Sequence, residues 1–102
     1  MKIAIASEGK TKIDSVSDRA GRAPFYLIFE DSELLEVIDN PFSFGSGGAG
    51  FSVAKMLADK NANIVVAGKF GPKMTGALVE RGLDYTTFEG SVESALASIL
   101  NQ

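Results

Sequence analysis

Two kinds of apolar pattern recur along this chain. Short runs rich in β-branched or aromatic residues, Lys2 to Ala6 (KIAIA), Phe25 to Glu30 (FYLIFE), Leu34 to Asp39 (LLEVID), Ile64 to Ala67 (IVVA) and Leu83 to Phe88 (LDYTTF), predict strands. Polar Asp31-Ser32-Glu33 between the second and third predicts a hairpin, and the uncharged fourth run predicts a strand buried within the sheet. Helical spacing takes over elsewhere. Phe51, Ala54, Leu57 and Ala58 share one face up to Lys60. Pro72 suits the first position of a second helix, with Met74, Ala77 and Leu78 inside and Gly82 at its end. Ser91 is an N-cap for a third, with Val92, Ala95, Leu96, Ile99 and Leu100 on one stripe. The predicted order is β, β, β, α, β, α, β, α, an α/β fold with a five-stranded mixed sheet.

If the first three strands form an antiparallel meander and right-handed helical crossovers follow, strands one, three, four and five point the same way. Three segments then leave the same edge of the sheet: Ser7 to Pro24, Asn40 to Gly50 and Gly68 to Lys73. The first is long for a connection inside a compact domain, a mark of function or disorder. The second contains Pro41 and four glycines and is expected to be irregular. Open α/β sheets bind ligands along such an edge.

Composition narrows the chemistry. The 102 residues, 45% apolar, suit one domain spanning 1–102. With no Cys and no His, thiolate nucleophiles, imidazole bases and the usual zinc, haem and iron-sulfur ligands are missing, and no catalytic residue is expected. A net charge of -3 argues against nucleic acid, and no apolar run is long enough for a membrane or a secretory signal, so a cytoplasmic protein is expected. Yet Lys10, Lys12, Arg19, Arg22, Lys69 and Lys73 lie in the first and third loops, opposed only by Glu8, Asp14 and Asp18. That local excess of positive charge predicts an anionic ligand, with Arg22 as clamp, Lys69 and Lys73 adding charge, and glycines exposing N–H donors.

Several sharper motifs fail on context. Gly45, Gly47 and Gly50 fit G-x-G-x-x-G, but they follow the third strand of a meander and no acidic residue stands where a dinucleotide site needs one. Gly68 to Lys73 (GKFGPK) lacks the spacing and Lys-Ser/Thr ending of a Walker sequence. Two-metal nuclease chemistry needs convergent carboxylates, and the first strand carries none. Met74 could offer a thioether to a metal or simply fill the core. Phe42, Phe44 and Phe51 could form a lid, anchor their loop or dock on a partner.

Four segments together, Met1 to Ser7 (MKIAIAS), Ser17 to Phe25 (SDRAGRAPF), Gly47 to Phe51 (GGAGF) and Val66 to Pro72 (VAGKFGP), make the chain similar to the dinitrogenase iron-molybdenum cofactor biosynthesis family. This group includes NifX-like proteins and the carboxyl-terminal region of NifB. The resemblance implies a ribonuclease H-like fold and non-enzymatic binding or carriage of an anionic metal-sulfur cluster, with a cofactor-assembly protein as a possible partner. Its motifs map onto Arg22, onto Gly47, Gly48 and Gly50, and onto Gly68, Gly71 and Pro72. Many relatives have a His and an aromatic residue before the Gly-Arg pair; here those places are Arg19 and Ala20. A cluster bound here would therefore be held by backbone N–H groups, Arg and Lys. The alternative is a protein interaction module with no ligand.

Overall fold

The computed structural model describes residues 1–45 and 47–102. Ser46, inside the segment expected to be irregular, lies outside the described residues. The elements follow the expected order: β1 (Lys2–Ser7), β2 (Phe25–Glu30), β3 (Glu33–Asp39), α1 (Ala49–Asp59), β4 (Ile64–Ala67), α2 (Pro72–Glu80), β5 (Asp84–Thr87) and α3 (Val92–Leu100). They form one mixed sheet in the order β3-β2-β1-β4-β5. The first three strands pair antiparallel, while β1, β4 and β5 pair in parallel. This is the α/β, ribonuclease H-like architecture expected from the sequence.

The burial pattern explains why β1 and β4 read as continuous apolar runs. Both are paired on each side and covered on each face. Ala4, Ala6, Tyr26, Ile28 and Val65 pack with Val53, Leu57, Met74 and Leu78 of α1 and α2. Ile3, Ile5, Leu27, Phe29 and Val66 pack with Val92, Leu96 and Ile99 of α3 on the opposite face. The small alanines of β1 face the side that carries two helices. Among the described residues, no helix is long and apolar enough to cross a membrane.

The strands β1, β3 and β5 match their expected bounds to within a residue at each end, and the start of the first helix departs further. Helix α1 starts at Ala49 rather than Phe51, because Gly48 takes a left-handed conformation (φ 75°, ψ 5°) at its N-cap. Gly50, expected in the irregular segment, is therefore helical. The long first connection is ordered rather than free. Ser17 N–H donates to Ala6 O at 2.9 Å, Gly68 N–H donates to Ser17 O at 2.8 Å, and Val16 and Ser17 are buried. Its earlier part is held to the start of α3 by Val92 N–H to Asp14 O and Glu93 N–H to Lys12 O, both 2.9 Å. Because β1, β3, β4 and β5 run the same way, residues 8–24, 40–45 and 68–71 all emerge at one edge.

Candidate functional site

The segment carrying Arg22 is fixed by groups from two strands. Tyr26, fully buried in β2, donates its hydroxyl to Ala20 O at 2.5 Å. Asn40, just past β3 and 5% exposed, donates its amide to Gly21 O at 3.2 Å and Ala23 O at 2.8 Å. Its Oδ1 accepts Phe42 N–H at 3.0 Å, so one side chain ties the first loop to the second. Burial pushes the Tyr26 phenol well above its ordinary value, keeping it a neutral donor. Within this frame the Arg22 guanidinium donates from Nη1 to Phe42 O at 3.2 Å. A single carbonyl leaves most of its five N–H donors for something else.

The ends of α1 and α2 meet beside it. A Cβ built on Gly50 would lie 3.0 Å from Met74 Cβ and 3.2 Å from Met74 N. One built on Gly21 would lie 3.3 Å from Gly50 N. Three backbone segments thus approach so closely that a side chain at Gly50 or Gly21 would force its neighbours to give by a few tenths of an ångström. Neither helix has a side-chain cap or an acidic residue in its first turn, and Pro72 occupies the start of α2. Both ends therefore present backbone donors and the positive pole of a helix dipole.

A cleft of about 380 Å³ opens between them, lined by Gly21, Arg22, Ala49, Gly50 and the run Gly71 to Met74. Arg22 and Lys73 supply its charge and no carboxylate lines it. The ion pairs among the described residues join Met1 to Glu30 and Asp31, Lys55 to Asp59, and Lys60 to Glu36. All lie away from this edge, so the basic residues of the loops have no acidic partner at salt-bridge distance. Among the described residues no group of three or more His, Cys, Asp or Glu is placed to hold a metal ion. The chemistry available is electrostatic: ammonium, guanidinium and N–H donors for an anion.

Of the residues singled out in the sequence, Arg22, Gly50, Gly71 and Lys73 come together in the cleft. Gly47 and Gly48 precede it, exposed, with Gly48 serving as the α1 cap. Arg19 lines a neighbouring groove that also includes Arg22. Gly68 has its N–H committed to Ser17 O, and a Cβ there would stand 3.0 Å from Asp18 Cα, so its smallness serves loop packing. Lys69 is exposed outside the lining, and its carbonyl accepts Ala20 N–H at 3.2 Å. Met74 lines the cleft but is only 2% exposed. The three aromatics do not form one cluster: Phe42 packs on the core, Phe51 lies beside Glu80 and Arg81, and Phe44 is 91% exposed. Sequence reasoning passed over Gly21, Asn40 and Tyr26. Gly21 stood within the Gly-Arg motif, and the Asn40-Pro41 pair after a strand was a turn signal.

Comparison with known proteins agrees with the fold. The orange protein from Desulfovibrio gigas, solved in its apo form, superposes with a TM-score of 0.91 at 31% identity, over 98% of this chain and 87% of that one. A putative NifB protein from Thermotoga superposes with a TM-score of 0.83 at 28% identity, again over 98% of this chain and 87% of that one. Among curated proteins none matches. The profile of the dinitrogenase iron-molybdenum cofactor family matches residues 1–102, and the chain belongs to that family.

Proposed function

We propose that this protein binds and carries an anionic metal-sulfur species, held without covalent attachment in the cleft between the ends of α1 and α2. Family membership associates the chain with the binding or biosynthesis of the iron-molybdenum cofactor. The observation that supports carriage most is the lining itself: Arg22, Lys73 and two uncapped helix starts, with no carboxylate among them. Such a lining attracts negative charge but offers a metal no His, Cys or carboxylate ligand. It therefore suits cargo whose metals already carry their own sulfide ligands, and release then requires breaking only hydrogen bonds and ion contacts. This is an accessory role in which no bond of the cargo is broken. Arg22 clamps the anion by its remaining guanidinium donors, Lys73 adds a mobile charge, and the amides around Gly50 and Met74 orient toward sulfide.

Anaerobic titration with tetrathiomolybdate tests the reading. The wild type should bind, and Arg22→Ala combined with Lys73→Ala should weaken binding by about tenfold or more, the loss of two charge-assisted contacts. Lys55→Ala, remote from the cleft and paired with Asp59, serves as control and should bind as the wild type does. Equal affinity in the double variant and the wild type would overturn the assignment.

A further inference from the structure

Beside the cleft lies a larger groove, of about 460 Å³, to which carriage gives no role. Its apolar lining comes from Pro24 and Phe25 at the start of β2 and from Pro41 and Phe44 after β3. Arg19 and Arg22 line it too, and the Lys10 ammonium stands 5.5 Å from the Phe25 ring centroid. Asp39 is its only carboxylate, and none of the three cations has a salt-bridge partner among the described residues. Phe44, 91% exposed, leaves almost a whole aromatic ring in water on a groove that two arginines also line. Arginine and aromatic side chains on apolar ground are what protein interfaces concentrate.

We infer that this groove docks an acidic segment of the protein that receives the cargo, a stretch in which carboxylates stand beside apolar side chains. The inference rests on the carriage reading for the identity of the partner, and on the groove alone for its chemistry. Charge complementarity selects the occupant: Arg19, Arg22 and Lys10 against a single Asp39 call for carboxylates, and the prolines and phenylalanines call for apolar neighbours. Arg22 gives the direction of transfer, because it lines both cavities. A carboxylate on its guanidinium neutralises charge that holds the anion in the cleft. Docking therefore weakens cargo binding, and by linkage cargo weakens docking by the same factor. A receiving partner gains from that sign; a delivering one does not. Phenylalanines with arginines can also stack bases and hold phosphates, but Asp39 in the groove and the chain's net charge of -3 oppose nucleic acid.

The test uses the full chain and a fluorescent peptide of alternating Glu and Leu, followed by anisotropy at low salt. Saturable binding is expected, weakened about tenfold by Phe44→Ala. Asp39→Asn should strengthen it. Saturating tetrathiomolybdate should weaken it by about fivefold or more, while Phe44→Ala leaves tetrathiomolybdate affinity unchanged. No peptide binding, binding indifferent to Phe44→Ala, or tighter binding of a thymidine oligonucleotide would overturn the inference. Peptide binding that needs Phe44, in a protein that binds no tetrathiomolybdate, would uphold the docking groove and remove the carriage reading. Tetrathiomolybdate binding with no peptide binding would do the reverse.

Discussion

A methyl group on Gly50 probes the junction on which the cleft depends. In Gly50→Ala the new Cβ meets Met74 Cβ at 3.0 Å, Met74 N at 3.2 Å and Met74 Cα at 3.3 Å. Two of those atoms are backbone, so no change of rotamer relieves the contact and α1 and α2 must separate by a few tenths of an ångström. Overpacking of this kind costs about 1–3 kcal/mol. The helical preference of Ala over Gly returns about 0.5–1 kcal/mol, and less in a first turn. The net loss is about 1–2 kcal/mol, a fall in Tm of about 5–10 °C for a domain of this size. Gly76→Ala is the matched control: it lies inside α2 with nothing within 4 Å of its built Cβ, and should gain about 0.5–1 kcal/mol. Thermal and urea unfolding followed by circular dichroism would compare the two. Tetrathiomolybdate affinity should also fall in Gly50→Ala as the facing amides spread. A Gly50→Ala protein as stable as the wild type, beside the expected gain in Gly76→Ala, would refute the close approach of these helix ends.

Three further outcomes follow from buried and hydrogen-bonded side chains of the fold. Asn40→Ala leaves the carbonyls of Gly21 and Ala23 without a donor and should cost roughly 2–3 kcal/mol in urea unfolding, with a matching loss of tetrathiomolybdate affinity. The Tyr26 phenol is raised by burial, so its contribution is present below its unfolded value of 10.0 and declines as pH rises above it. An alkaline absorbance titration should therefore show Tyr26 ionising only as the protein unfolds. Asp14 accepts the Thr11 hydroxyl at 2.7 Å and the Thr11 N–H at 2.9 Å, which holds its carboxyl below the usual aspartate value. Stability from that turn is present above the unfolded aspartate pKa and lost as pH falls through the lowered one, so Asp14→Asn should flatten the acid limb of a stability profile.

Much of the architecture was legible because periodicity and burial agree. FYLIFE and IVVA predicted the bounds of β2 and β4, and Pro72 and Ser91 marked where α2 and α3 begin. The shared direction of β1, β3, β4 and β5 followed from the element order, and it is what gathers the loops. The start of α1 was hidden, since Gly-Gly-Ala-Gly reads as a run of breakers and only tertiary contact with Met74 and Gly21 shows why Gly50 must be helical. Charge counting found the edge but could not assign cations to cavities. Arg22 and Lys73 line the cleft, whereas Arg19 belongs to the groove and Lys69 lies outside the cleft lining. Gly68 and Gly71 look alike in the sequence and differ in the fold. One is wedged against Asp18, and the other opens α2 with nothing within 4 Å of its built Cβ. Long-range contacts such as Asn40 to Gly21 leave no periodic trace at all.

Amide chemical-shift mapping under anaerobic titration with tetrathiomolybdate tests the central claim most directly. Carriage in the cleft predicts saturable shifts concentrated at Gly21, Arg22, Ala49, Gly50, Lys73 and Met74, weakening as added salt screens the charge. Shifts that leave those amides unmoved, or that gather instead on the edge of β3 or on α3, would contradict it.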